Sequence, residues 1–151
     1  MKDGERDVVW VELQKAAAML DNELSARLDE RVGMSSTEFQ LLWYLANAVD
    51  RSLTMSEAAA RLSMSPSGMT RLADRLVRRG WVERMTDAAN RRFAIITLTA
   101  EGVTAARDGY RVARTARKQL FDARLTEDET RALGGIVGKL LGRIDLTDVT
   151  P

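Results

Sequence analysis

Three helix-start signals lie close together in the first half of the chain, and they restrict this region to short consecutive helices. The segments Ser35–Glu38 and Thr54–Glu57 are capping boxes, in which a hydroxyl and a glutamate three residues later bind each other's backbone N–H groups. Ser65 followed by Pro66 is a third start, because proline fits the first helical position. We therefore predict three helices here, each beginning directly after its capping residue.

Helical periodicity continues on both sides of this region. Apolar residues recur at helical spacing over Val9–Leu28, and a long helix is expected from Thr99 to about Arg124. A capping signal at Thr126 opens a last helix, in which apolar residues again recur at spacings of three and four. The short helices between these two apolar stripes are too small to cover both of them, so we predict an obligate homodimer. Three glycines of the last helix predict a close crossing with a partner helix, unless they are simply tolerated: Gly134, Gly138 and Gly142.

After Gly80, which is predicted to end the fourth helix, the pattern becomes strand-like. The segment WVERM alternates weakly, and FAIITL is rich in β-branched and aromatic residues. The polar and basic segment TDAANRR between them is expected to form a hairpin tip. The sequence therefore predicts a mainly α fold with a small β-hairpin inserted after the fourth helix.

The composition excludes many kinds of site, because histidine and cysteine are both absent. A Ser-His-Asp triad, a disulfide and a thiol nucleophile are impossible, and carboxylates are the one usual zinc ligand left. We expect neither catalysis nor a cofactor or metal. No apolar stretch is long enough to span a bilayer, and the amino terminus lacks the order of a signal peptide. A cytoplasmic protein without a membrane partner is therefore expected.

The small net charge of +1 conceals an uneven distribution. Residues 1–60 contain 6 basic and 11 acidic side chains, whereas residues 61–92 contain 8 basic and 3 acidic ones. The excess positive charge therefore lies in the segment that includes the fourth helix and the hairpin. A local field of this kind attracts polyanions. A solvated arginine-rich surface is the alternative explanation.

The first turn of the fourth helix contains unusually small side chains, although glycine in a helix costs roughly 1 kcal/mol relative to alanine. Ser65, Ser67, Gly68 and Thr70 keep this end slim, so that backbone N–H groups and the helix dipole can approach phosphate. Arg71 is the long donor beside it, and arginine binds guanine O6 and N7. Two helices followed by a basic hairpin form the winged helix-turn-helix plan, whose second helix enters the DNA major groove.

The span from Ser36 to Gly102 resembles the multiple-antibiotic-resistance regulator (MarR) family of bacterial transcription factors. The resemblance is carried by LTMSEAAARLSMSPSGMTRLADRLVRRGWVER and NRRFAIITLTAEG. It implies a ligand-responsive DNA-binding regulator, usually a repressor, that binds a pseudo-palindromic operator as a homodimer. It further implies a helical dimerisation region, residues 1–35 and 99–151, around a winged helix-turn-helix region, residues 36–98.

The resemblance also implies contacts made by the hairpin. Arg92 falls where the family's wing arginine reaches into the minor groove, and Asn90 stands where the family usually has an aspartate. The predicted DNA contacts combine the slim helix end with basic residues of the fourth helix and the hairpin: Ser65, Ser67, Gly68, Thr70, Arg71, Arg75, Arg91 and Arg92.

The resemblance implies a small aromatic or lipophilic acid as the effector. It would bind between the dimerisation helices and the winged helix-turn-helix region, residues 36–98, which forms the lobe of each protomer. The aromatic residues available for such a pocket are Trp10, Trp43, Tyr44 and Tyr110, and each fits a plain core role equally well. The competing interpretation is a winged-helix module that contacts only other proteins. Such modules usually lack a basic wing together with a slim, basic recognition helix.

Overall fold

The structure is a computed structural model, and it describes residues 3–86 and 94–142. The chain divides into two compact units, residues 1–114 and 115–151. The mainly helical fold with a small sheet confirms the predicted fold class. Six helices and three strands follow one another in the described ranges: α1 (Asp3–Val32), α2 (Ser36–Ala46), β1 (Ser52–Thr54), α3 (Met55–Arg61), α4 (Pro66–Arg78), β2 (Val82–Thr86), β3 (Ala94–Leu98), α5 (Ala100–Arg117) and α6 (Glu127–Leu140).

The predicted helix starts are confirmed in atomic detail. In α2 the Glu38 N–H donates to Ser35 Oγ at 3.2 Å, and the Ser35 N–H donates to Glu38 Oε2 at 2.9 Å. The same reciprocal pair opens α3 and α6. Ser65 caps α4 by accepting the Gly68 N–H at 3.2 Å. Gly80 follows this helix with φ +68°, the left-handed conformation expected of a terminating glycine.

The sheet has three strands, one more than the predicted hairpin. β3 is central and pairs antiparallel with both β2 and β1. β1 comprises only three residues and pairs with a strand far away in sequence, so alternation alone does not reveal it. Of the predicted hairpin tip, residues 86–92, Thr86 is instead the last residue of β2, and residues 87–92 lie outside the described residues.

The core of the first unit lies where α2, α3 and α4 pack with the sheet. α4 contributes Met69, Leu72 and Leu76, which are fully buried and recur at helical spacing. Burial of each such leucine stabilises the fold by roughly 1.5–3 kcal/mol. The largest fully buried side chains share this core: Leu28, Met34, Leu41, Leu42, Leu45, Met69, Leu72, Leu76, Ile96 and Val82.

The start of α5 is fixed against the end of α4. Thr99 Oγ1 donates to the Gly80 carbonyl oxygen at 2.6 Å and accepts the Gly102 N–H at 2.9 Å. The Thr99 N–H donates to the Trp81 carbonyl oxygen at 3.2 Å. A Cβ atom at Gly102 would overlap this same oxygen, so only glycine fits there. These contacts explain the physical role of threonine and glycine in the LTAEG segment.

The terminal helices differ in extent from the prediction. α1 begins at Asp3 rather than near Val9. In its amino-terminal half, Val9 is 60% exposed and Trp10 is 62% exposed. α6 ends at Leu140, and Gly142 adopts φ +65° beyond it. The prediction that Gly142 lies within the last helix is therefore wrong, because this glycine terminates the helix. Gly138 is buried.

The helical segment after α5 also departs from ideal geometry. A π-helical turn, Lys118–Asp122, continues α5 and reaches nearly to the predicted end of this helix. Within the described residues, no helix combines the length and the apolar character needed to cross a lipid bilayer.

Candidate nucleic-acid interface

α3 and α4 form a compact helix-turn-helix. Residues 62–65 connect the two helices, and Ser63 adopts φ 52° within this turn. The Met64 N–H donates to the Ala59 carbonyl oxygen at 2.9 Å and closes the turn. Ala59 is buried together with Met69 of α4, so small side chains on α3 allow the two helices to approach closely. The turn fixes the direction in which the amino end of α4 faces.

The amino end of α4 is exposed and polar. Ser65, Ser67 and Arg71 are exposed, and Thr70 is half-buried with its hydroxyl donating to the Pro66 carbonyl oxygen at 3.0 Å. The first turn contains no acidic residue. The partial positive charge of a helix amino end is therefore not neutralised by a carboxylate of its own first turn.

Few backbone N–H groups remain available at this end. Pro66 has none, the Gly68 N–H donates to Ser65 Oγ, and the Met69 N–H donates to the Ser65 carbonyl oxygen at 2.9 Å. The Ser67 N–H is thus the amide of the first turn that remains for a ligand. The Ser67 hydroxyl lies 3.3 Å from Ser65 Oγ, so two hydroxyl groups lie close together in this first turn.

Gly68 differs from the expectation that it clears space for DNA. It is buried, and a Cβ atom there would lie 3.2 Å from Ser65 Oγ and 3.3 Å from Met64 Cε. Its small size therefore allows the cap and the preceding turn to pack closely. The slim exterior of this helix end comes from the serines instead.

The arginines of α4, together with Arg79 directly after it, fall into two groups. Arg75 Nε lies 3.6 Å from Glu38 Oε1, and Arg79 Nη1 lies 3.3 Å from Glu38 Oε2. Within residues 3–86 and 94–142, Arg71 and Arg78 make no such ion pair. Arg71 is exposed, and its contact with DNA stays a prediction, whereas the predicted DNA contact Arg75 has an ion-pair partner inside its own lobe.

The wing is attached to the same helix. Arg84 of β2 lies 3.6 Å from Asp74 of α4, so an ion pair links the strand to the helix. The predicted wing contacts Arg91 and Arg92, together with Asn90, lie outside the described residues. Their contact with DNA stays a prediction.

The predicted effector residues are only partly brought together. Trp43 and Tyr44 of α2 are half-buried and pack edge to face, with ring centroids 5.3 Å apart. The Arg61 guanidinium lies 5.6 Å from the Tyr44 ring centroid. Trp10 on α1 is 62% exposed and Tyr110 on α5 is 45% exposed.

The first unit also has an open groove of about 450 Å³ that none of these four aromatic residues lines. Trp81 and Arg31 contribute to its wall, together with Glu101 of α5. The effector pocket named from the sequence therefore stays a prediction.

Two residues of this region acquire roles that sequence patterns do not reveal. Glu38 reads as a helix cap, yet it also faces two arginines. Trp81 reads as the start of a strand, yet the Arg79 guanidinium stacks 3.6 Å from its ring centroid. The contacts of Glu38 depend on the tertiary packing of α4 against α2, whereas the stacking of Arg79 on Trp81 depends on the conformation of the turn after α4.

The folded lobe thus has the architecture of a winged helix-turn-helix protein, and comparison with known proteins defines its family. A model of the MarR family matches residues 32–92. The transcriptional repressor MprA of Escherichia coli (strain K12) is 34% identical over 113 residues, which cover 75% of this chain and 64% of MprA. The chain therefore spans less than two thirds of the length of that relative.

Two further relatives extend over most of the chain. The multiple antibiotic resistance protein MarR of Salmonella typhimurium is 26% identical over 134 residues, covering 89% of this chain and 88% of that protein. A MarR family transcriptional regulator from Streptomyces coelicolor, solved in complex with DNA, superposes with a TM-score of 0.84. It is 28% identical, and the match covers 93% of this chain and 88% of that chain. The chain belongs to the MarR family.

Proposed function

We propose that this protein is a ligand-responsive transcriptional repressor that binds a pseudo-palindromic operator as a homodimer. The observation that carries the proposal is the amino end of α4, which is exposed, free of acidic residues in its first turn and followed by Arg71. The names of its relatives support it, since MprA is a transcriptional repressor and the Streptomyces coelicolor regulator was solved in complex with DNA.

In this proposal each lobe inserts the amino end of α4 into a major groove. Ser65, Ser67 and Thr70 approach phosphate oxygens, and the Ser67 N–H donates to one of them where the helix dipole favours an anion. Arg71 reaches a base edge, where its guanidinium pairs with guanine O6 and N7. The wing arginines Arg91 and Arg92 contact the flanking minor groove and the phosphates beside it.

Dimerisation places two lobes on one face of the duplex. The terminal regions, residues 1–35 and 99–151, form the dimer in this proposal, and the exposed apolar residues at the start of α1 support it. Half-sites are then separated by about one helical turn, ~10 bp from centre to centre. The protein acts in the cytoplasm by binding alone, without catalysis or a cofactor.

The effector in this proposal is a small aromatic or lipophilic acid. Trp43, Tyr44 and the Arg61 guanidinium above the Tyr44 ring form an aromatic and cationic cluster that suits an aromatic carboxylate. Binding of such an acid is expected to raise the thermal midpoint and to weaken DNA binding. If no phenolic or lipophilic acid changes either quantity, this part of the proposal fails.

Fluorescence anisotropy with duplex DNA tests the central claim. The DNA upstream of the protein's own gene is divided into overlapping fragments, and a shuffled duplex of equal length serves as the control. One fragment is expected to bind far more tightly than the shuffled duplex, with a footprint on two half-sites. If no fragment binds, or if all fragments bind no more tightly than the shuffled duplex, the competing function is favoured, a winged-helix module that contacts proteins without sequence-specific DNA binding.

A further inference from the structure

A single carboxylate lies beneath the carboxyl end of α4. The Glu38 residue is 7% exposed, and its Oε2 already accepts the Ser35 N–H at 2.9 Å in the cap of α2. Arg75 approaches Oε1 at 3.6 Å, and Arg79 donates to Oε2 at 3.3 Å. A nearly buried carboxylate needs such partners, because an unpaired buried charge is strongly unfavourable.

Arg79 is held by two more contacts. Its Nη2 donates to the Gly33 carbonyl oxygen at 2.7 Å, and its guanidinium stacks 3.6 Å from the Trp81 ring centroid. Arg75 has a different environment, since its side chain is 47% exposed and Glu38 is its ion-pair partner. Of the two arginines, Arg75 is therefore the one whose orientation depends mainly on the charge of Glu38.

Arg75 follows Arg71 by one helical turn, so both start from the same side of α4. A released Arg75 would lie on the face that meets DNA in the proposed function. An arginine there adds a phosphate contact, and phosphate contacts raise affinity for every sequence alike. Restraint of Arg75 thus favours discrimination between sequences over total affinity.

We infer that Glu38 is a positioning residue for sequence discrimination. It holds Arg75 away from phosphate and fixes the carboxyl end of α4 to α2, so that the amino end and Arg71 carry the contacts with bases. This inference rests on the proposed function, because it assigns a role within DNA recognition.

The decisive variant is Glu38→Gln, since glutamine at this position still closes a capping box but carries no charge. Kd is measured for the selected operator and for a shuffled duplex over a range of salt concentrations. The variant is expected to bind the shuffled duplex more tightly, with a salt slope steeper by about 0.9 for each engaged lobe. For the shuffled duplex, the ratio of the wild-type Kd to the variant Kd should rise about threefold per lobe as the salt concentration falls from 200 to 50 mM. The ratio of specific to non-specific affinity should fall.

Two matched variants separate this effect from a change in net charge or capping. Glu57→Gln removes the same charge from the capping box of α3, where no second helix contributes an ion pair within the described part of the chain, and should keep the wild-type ratio. The double variant Glu38→Gln/Arg75→Gln should return to the wild-type salt slope, because the released arginine is gone. A general loosening of the lobe would not be reversed in this way.

Arg75→Gln alone provides a test that does not depend on the folding of Glu38→Gln. It should leave the non-specific salt slope unchanged, and a slope lower by about one unit would place Arg75 on phosphate and overturn the inference. The inference would be overturned as well if folded Glu38→Gln kept the wild-type salt slope and the wild-type ratio of specific to non-specific affinity. The proposed function would stand in that case, because the operator is still bound specifically. A wild-type protein that binds all sequences equally would instead refute the proposed function, and the inference with it.

Discussion

The two helices of the helix-turn-helix begin with the same kind of cap but with different charge. In α3 the Glu57 carboxylate accepts the Thr54 N–H at 2.9 Å and the Thr54 hydroxyl at 2.7 Å. In α4 a serine caps the helix, and Gly68 stands where α3 has its glutamate. A carboxylate in the first turn typically stabilises a helix by 0.3–1 kcal/mol. α4 lacks this stabilisation, and the partial positive charge at its amino end is therefore available for an external anion.

The strongest test of this comparison adds the missing carboxylate to α4. Ser67→Glu places an acid in the exposed first turn, where it should stabilise the helix by about 0.3–1 kcal/mol. The same charge should weaken binding to every duplex by several kcal/mol, because it faces phosphate. Opposite changes in unfolding free energy and in DNA affinity are therefore expected from one substitution.

Ser67→Gln is the control, since it has similar size without the charge. It should retain most of the DNA affinity, as measured by anisotropy at fixed salt. If Ser67→Glu binds DNA as tightly as Ser67→Gln does, the amino end of α4 does not face the duplex.

The second test removes the long donor at this end. Arg71→Ala should cost about 1–3 kcal/mol on the operator and relax the preference at one position in each half-site. Arg92→Ala should instead weaken all sequences more evenly and lower the salt slope by about one unit per lobe. Binding titrations against single-position operator variants distinguish the two, and small equal effects would contradict the assigned grooves.

Much of this fold follows from local signals in the sequence. The starts of α2, α3 and α4 were predictable because a cap depends on residues only three positions apart. The burial of Leu72 and Leu76 likewise agrees with their spacing of one helical turn along α4. β1 was not predictable, since three residues carry too little pattern and its partner strand is distant in sequence.

The candidate site was predictable in part for the same reason. The exposed position of Arg71 follows from helix periodicity, whereas the pairing of Arg75 with Glu38 depends on how α4 packs on α2. The burial of Gly68 also depends on packing, because Met64 folds back against it across the turn. Local pattern thus identifies the helix that carries the site, and tertiary contacts select which of its side chains remain available.

A smaller effect is expected from removal of the caps themselves. Ser65→Ala and Thr54→Ala should each destabilise the lobe by about 1 kcal/mol, as measured by urea unfolding at fixed protein concentration. Only Ser65→Ala should also weaken DNA binding, because the exposed Ser65 lies at the helix end that meets DNA in the proposed function. Ser65→Asp restores the cap and adds a negative charge, so it should recover stability and lose affinity. If Ser65→Asp recovered DNA affinity together with stability, the amino ends of α3 and α4 would not have separate roles.

The smallest effect concerns acid pH and distinguishes the two caps by their chemistry. Hydrogen bonds from the Thr54 backbone and hydroxyl lower the pKa of Glu57 below its usual 4.5. Because the folded pKa is the lower one, the carboxylate stabilises the fold fully above pH 4.5, and this contribution is lost as pH falls through the folded pKa. The exposed position of Glu57 limits this stabilisation to about 0.5 kcal/mol.

The difference in thermal midpoint between wild type and Glu57→Gln should therefore be positive at neutral pH and vanish in acid. The difference between wild type and Ser65→Ala should stay constant over the same range, because a serine cap does not titrate. A difference for Glu57→Gln that is equally constant would show that the α3 carboxylate contributes no charge-dependent stability.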